Sequence, residues 1–222
     1  NGVPEYQVGF SGGEPSYVAD FQDGVVRADY ERYPSVARVI EELDDGFREY
    51  ALAPFTLQIP VVAEVPSGGP QLTTPIMRAR GFGGIDMAAV RRGATEITLR
   101  AAGGEVVERL TVDDGVPIRM SQDTDLDGRF DRLLVYRDGL PHSALRDIDG
   151  DGYFEVAEAY ERGEIVAVVV DDDDNGTPDV VEYQRANGIR EWDLDQDGVI
   201  DVREFGILTD QVRLEFPFME RD

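Results

Sequence analysis

Apolar residues recur in short alternating runs along the whole chain, and glycine, proline or paired aspartates break those runs at close intervals. In the first half the runs are Ser16–Gln22, Val25–Tyr33, Ser35–Leu43, Phe47–Ala53 and Phe55–Val65, separated by Asp23-Gly24, Pro34, Asp44-Asp45-Gly46 and Pro54. Runs of this length with turn residues between them predict an antiparallel β-meander over residues 1–65. In the second half Phe130, Arg132, Leu134 and Tyr136 alternate with Asp131, Leu133 and Val135, and Arg137-Asp138-Gly139 then offers a tight turn before a returning strand, Leu140 to Arg146. The same arrangement follows with Glu161-Arg162-Gly163 at the turn, and Leu110 to Pro117 matches Leu134 to Pro141, so the repeat begins before residue 123. Residues 96–205 therefore read as a tandem β-hairpin array, and residues 206–222 as a terminal strand or tail. Between the halves, residues 66–95 are rich in glycine and proline and predict an excursion with one short helix over Ile85 to Arg92.

The turns that link the hairpins carry the chemistry. Four share one pattern: Asp123-Thr-Asp125-Leu-Asp127-Gly128, Asp147-Ile-Asp149-Gly-Asp151-Gly152, Asp171-Asp-Asp173-Asp-Asn175-Gly176 and Asp193-Leu-Asp195-Gln-Asp197-Gly198. Each has an acid at its ninth position (Asp131, Glu155, Asp179, Asp201), and three have glutamate at the twelfth (Glu158, Glu182, Glu204), where the first has Leu134. Oxygen ligands at positions 1, 3 and 5 wrap a hard cation, glycine at 6 permits the bend, and the position-7 carbonyl (Arg129, Tyr153, Thr177, Val199) and acids at 9 or 12 complete the shell. In the first loop Asp131 alone is available to close it. Magnesium would demand a tighter octahedron with fewer protein ligands, so up to four Ca2+ are expected.

These segments resemble the calcium loops of EF-hand, dockerin and thrombospondin type 3 proteins, and also the Asp-x-Asp-x-Asp-Gly-x-x-Asp turns of FG-GAP repeats. A paired EF-hand needs two helices per loop, and a 24-residue period leaves no room for them. Gly139, Gly163, Gly188, Pro141 and the run Ile165–Val170 favour extended chain between loops, with dockerin-like loop-helix repeats as the alternative. The expected fold is mainly β, a tandem hairpin sheet similar to bacterial MORN-like and YD-like repeats, with calcium-binding turns.

Composition narrows the function. The chain has 46 acidic and 21 basic residues, a formal charge of −25, which argues against a nucleic-acid partner because phosphate binding needs a basic face. Residues 123–204 alone hold 24 acids against 8 arginines, a density that opposes compaction unless counterions are bound. Cysteine is absent and histidine occurs once, as His142, so zinc and iron–sulfur sites lack their usual ligands. No apolar run approaches the length of a membrane span. Asn1-Gly2-Val3-Pro4-Glu5 mirrors Asn175-Gly176-Thr177-Pro178-Asp179, which implies a fragment of a longer repeat protein.

Catalytic patterns are weak. Gly9-Phe10-Ser11-Gly12-Gly13 has nucleophile-elbow spacing, yet Gly12, Gly13 and Pro15 predict a hairpin turn where the elbow needs a helix. Gly81-Phe-Gly83-Gly84 fits neither phosphate-binding spacing. The cluster Arg78, Arg80, Arg91 and Arg92 is read as pairing with acids of the same chain. The resulting expectation is a non-enzymatic, extracytoplasmic scaffold or binding module of a bacterial envelope or secreted protein, whose partner is another protein or a cell-surface component. The alternatives are an adhesin or carbohydrate-binding module using Tyr136, Tyr160 and Tyr183, and an EF-hand-type calcium switch.

Overall fold

A computed structural model describes residues 6–22, 24–59, 83–185, 189–195, 197–206 and 212–215. The expectations placed on Asn1–Glu5, on most of the 66–95 excursion with Arg78 and Arg80, and on Gly188 lie outside them. The chain forms two compact units, Asn1–Pro117 and Ile118–Asp222.

The first unit contains β1 (Tyr6–Ser11), β2 (Glu14–Asp20), β3 (Val26–Arg32), β4 (Ser35–Leu43), β5 (Gly46–Thr56), α1 (Met87–Gly93), β6 (Ala94–Ala101) and β7 (Val106–Asp113). Each strand pairs antiparallel with the next, as the alternation predicts. Strand parity puts Val8, Val18, Ala28, Val39 and Tyr50 on one face, and the short helix lays Val90 against it to make an apolar core with Tyr6, Ile85 and Val112. The helix starts where the Asp86 carboxylate accepts from the Ala88 and Ala89 amides, so its first residue is Met87 where the sequence suggested Ile85. Pro54 was expected to separate two strands, but β5 runs through it. Val36 pairs with Phe55 and Arg38 with Ala51, so Pro54 sits in a bulge where its missing N–H breaks no ladder bond. On the other face Arg27, Asp29, Arg38, Glu49 and Arg100 form a chain of ion pairs 2.6–3.3 Å long. Arg91 pairs with Glu41 at 3.3 Å, an acid of the same chain, as read for the basic cluster.

The second unit runs from the body of β8 (Val116–Gln122) through β9 (Arg132–Arg137), β10 (Leu140–Arg146), β11 (Val156–Glu161), β12 (Glu164–Val170), β13 (Val180–Arg185), β14 (Ile189–Asp193), β15 (Val202–Gly206) and β16 (Val212–Glu215). It is an antiparallel meander throughout, and the segments flanking the aspartate loops are strands, so the loop-helix alternative is excluded. The hairpin turns repeat one geometry: Asp114-Gly115, Asp138-Gly139 and Arg162-Gly163 all have two successive positive φ angles, the backbone that matches strand twist. One cross-strand row reads Met120, Leu134, Ala144, Glu158, Val168, Glu182, Trp192.

The interior of this unit differs in kind from that of the first. Among its described residues the buried hydrophobics are Leu134, Ala144 and Val156, whereas the buried carboxylates are Asp123, Glu155, Glu158, Asp171, Glu191, Asp193 and Glu204. Buried carboxylates oppose folding unless they are paired, hydrogen-bonded or ligating a cation, so the stability of this unit turns on what satisfies them.

Candidate metal centres

One set of four hydrogen bonds recurs in all four loops. The position-6 glycine amide donates to the position-1 aspartate at 2.8–3.0 Å. The position-5 amide donates to the position-3 side chain at 3.1–3.3 Å. The position-7 amides of Arg129, Tyr153, Thr177 and Val199 donate to the position-5 side chain at 2.7–2.8 Å. The ninth-position acid accepts from the position-2 amide at 2.6–2.8 Å. The acids at positions 3, 5 and 9 thus fix the backbone with one oxygen and keep acceptor capacity on the other, whereas Asp123, Asp147 and Asp171 at position 1 take an amide on each oxygen. Position 6 is left-handed in every loop (Gly128, Gly152, Gly176, Gly198; φ +81° to +101°), which is why glycine stands there.

This scaffold gathers four groups of carboxylates whose ligand oxygens lie within 4.8 Å of one another: Asp123, Asp125, Asp127; Asp147, Asp149, Asp151, Glu155; Asp171, Asp173, Asp179; and Asp193, Asp195, Asp197. Asn175 occupies position 5 of the third loop and offers an amide oxygen. Four sites on this chain could therefore hold a metal ion, and their donor set is oxygen only, which suits a hard cation. Two buried oxygens are conspicuous: Oε1 of Glu155 and Oδ1 of Asp193 accept no hydrogen bond.

The remaining expected ligands fall elsewhere. Asp131 and Asp201 cap their loops but are not among the gathered carboxylates, and Asp131 also accepts from the Thr124 hydroxyl at 2.8 Å. Glu158, Glu182 and Glu204 stand in strands: Arg146 Nε lies 3.0 Å from Glu158, Trp192 Nε1 donates to Glu182 at 3.2 Å, and Arg190 Nε lies 3.3 Å from Glu204. The physical reason is the exit from the loop. A helix would return position 12 to the side of position 9, whereas in a strand residues three apart face opposite ways.

Sequence reasoning singled out Tyr153 only for its carbonyl. Its side chain crosses to the next loop, where the hydroxyl donates to Asp171 Oδ2 at 2.5 Å. No sequence signal marks this contact, because the two residues meet only through the strand register. That hydrogen bond pushes the Tyr153 phenol up to about 12, helped by burial and the surrounding negative field. It also lowers the Asp171 carboxyl, assisted by the Gly176 and Asn175 amides and opposed by burial. Asp174 is shifted the other way, by burial first and then by the field of Asp151, Glu155 and Asp149. The depressed Asp171 value means that its contacts stabilise the fold above the ordinary carboxylate range and are lost as pH falls through the lowered value. Replacing Tyr153 with Phe in calcium-free protein will move the Asp171 carboxyl back towards the ordinary range, as read by carboxyl-carbon NMR; an unmoved titration would contradict the contact.

The other candidates find structural places. Ser11 ends β1, and Gly12-Gly13 turns directly into β2, so no helix follows the serine. His142 is the extra residue of a β10 bulge, partly exposed. Tyr136 and Tyr160 share the face of Leu134 and Glu158, with the Tyr160 hydroxyl on Glu158 at 2.5 Å. Tyr183 lies on the opposite face, paired with Ala167 and Glu191, so the three tyrosines do not form one platform. No family model, curated protein or solved structure matches this chain.

Proposed function

We propose that this chain is a non-enzymatic, calcium-stabilised β-repeat module that serves as a scaffold or protein-binding surface in a bacterial envelope or secreted protein. The observation that carries this reading is the unit that, among its described residues, buries seven carboxylates against three hydrophobic residues, four of the seven in the aspartate loops (Asp123, Glu155, Asp171, Asp193), and gathers its acids, by one repeated hydrogen-bond set, into four oxygen-only groups. Calcium fits better than magnesium because each group offers three or four protein oxygens, with position-7 carbonyls in addition, where magnesium favours fewer protein ligands. The ions act as structural pins, and near-millimolar extracytoplasmic calcium would keep loops of the weak extracellular class loaded.

Metal analysis after dialysis against calcium tests the reading: retained calcium supports it, and its absence refutes it. The roles of the glutamates separate at single positions. Glu155→Gln removes charge from the second group and will weaken calcium binding at that loop about tenfold, whereas Glu158→Gln, outside the group, will leave the affinity within about twofold. Isothermal titration of both variants reads the difference, and equal losses would return position 12 to the shell.

A further inference from the structure

The four loops are not equivalent, and the difference falls on the second and third. The second gathers four carboxylates where the others gather three. Its Glu155 is 6% exposed, with Oε2 held by the Ile148 amide at 2.8 Å and Oε1 buried without a hydrogen-bond donor, an acceptor left over for a ligand. Its fourth position is Gly150 at φ +79°, whereas the first and third loops place Leu126 (+64°) and Asp174 (+55°) in that left-handed conformation, which costs a side chain but not a glycine. The second loop is thus nearer its ion-binding form before an ion arrives than the first or the third; the fourth also buries a donor-free oxygen, on Asp193, but gathers three carboxylates.

It is also wired to the third. The Glu155 carbonyl accepts the Asp171 amide at 2.9 Å, and the Tyr153 hydroxyl holds Asp171 Oδ2. Asp171 opens the third loop, and Tyr153 occupies position 7 of the second, where its carbonyl would turn to a bound ion and its amide is already held by Asp151 at 2.7 Å. The step from the first loop to the second repeats the backbone half of this link, Asp147 amide to Asp131 carbonyl at 2.9 Å. The first loop has Arg129 at position 7, and so has no hydroxyl to supply the other half.

We propose, resting on the calcium reading above, that the second loop fills first and that its occupancy prepares the third, with Tyr153 as the positioning residue. An ion drawn to Asp147, Asp149, Asp151 and Glu155 fixes position 7, and the fixed ring presents Asp171 to the next ion. The third site therefore gains affinity from order already established in the second, and by linkage the second gains equally. The opposing effect is electrostatic, since a filled second loop weakens the negative field that attracts the next cation. The part of that field set by the exposed Asp149, Asp151 and Asp173 is screened by salt, while the hydroxyl and amide contacts are direct.

Calcium titration of the full chain followed by 1H–15N NMR tests this, using the Gly152 and Gly176 amides as separate reporters, because each donates to the first aspartate of its own loop. The Gly152 signal is expected to reach its midpoint at threefold or more lower calcium than Gly176, with the order kept at 0.5 M salt. In Tyr153→Phe the Gly176 midpoint will rise at least threefold and the Gly152 midpoint by less, because the second loop fills while the third is still largely empty; in Glu155→Gln both will rise. Gly176 moving with or before Gly152, or a Tyr153→Phe variant that leaves the Gly176 midpoint where it was, would overturn the proposal while leaving calcium binding intact. If neither amide responds to calcium, the calcium reading falls as well.

Discussion

Stripping calcium with a chelator will lower the melting temperature by about 10–20 °C, with the loss concentrated in the second unit. The size follows from mass action: a site held at tenfold its dissociation constant contributes about 1.4 kcal/mol, so four contribute about 5–6 kcal/mol. For a chain of this length each kcal/mol moves the midpoint by about 2–4 °C. The location follows from the interiors. Val8, Val18, Val39, Tyr50 and Val90 form an apolar core in the first unit, whereas the second, among its described residues, presents seven buried carboxylates and three buried apolar side chains. Hydrogen exchange read by mass spectrometry should show protection falling in β9 to β15 after chelation and holding in β1 to β5. Uniform loss, or none, would contradict the division of labour.

Tyr50→Ala will destabilise the first unit by about 3–5 kcal/mol, the usual cost of emptying a large buried aromatic site. The ring is 1% exposed, and its hydroxyl donates to Glu41 Oε2 at 2.6 Å, beside Arg48 and Arg91 on the same carboxylate. Tyr50→Phe keeps the ring and loses only the hydrogen bond, so it will cost about 1 kcal/mol. Urea unfolding in calcium measures both, and calcium affinity should be unaffected by either, since no loop ligand lies in this unit. A loss below about 1 kcal/mol for Tyr50→Ala would show that the ring is not part of a close-packed core.

Much of this architecture was legible because the elements that specify it are local. An Asp-Gly or Arg-Gly pair between alternating runs dictates its own turn, and Asp138-Gly139 and Arg162-Gly163 adopt the backbone those residues imply. The aspartate loops are local too: the four hydrogen bonds that recur within each of them span seven residues or fewer, so their spacing in the sequence already contained that geometry. What depends on register was not legible. The role of position 12 depends on whether the chain leaves the loop as helix or strand, and the strands send Glu158, Glu182 and Glu204 to Arg146, Trp192 and Arg190. The Tyr153 to Asp171 contact joins residues 18 apart and needs the β11–β12 pairing in place first. Pro54 reads locally as a break, and only the register with β4, in which Ala51 to Phe55 faces the shorter stretch Arg38 to Val36, shows that a bulge absorbs it.

The most direct test of the central claim is a calorimetric calcium titration of the chelator-stripped protein, with Trp192 fluorescence as a second probe. Trp192 precedes Asp193 in the chain and donates to Glu182, so it stands at the fourth loop and against the strand that leaves the third. Binding of about four calcium ions, accompanied by a change in tryptophan emission, is the predicted result. A flat titration with unchanged emission would contradict it, leaving the aspartate loops as hydrogen-bonded acidic turns that hold no ion.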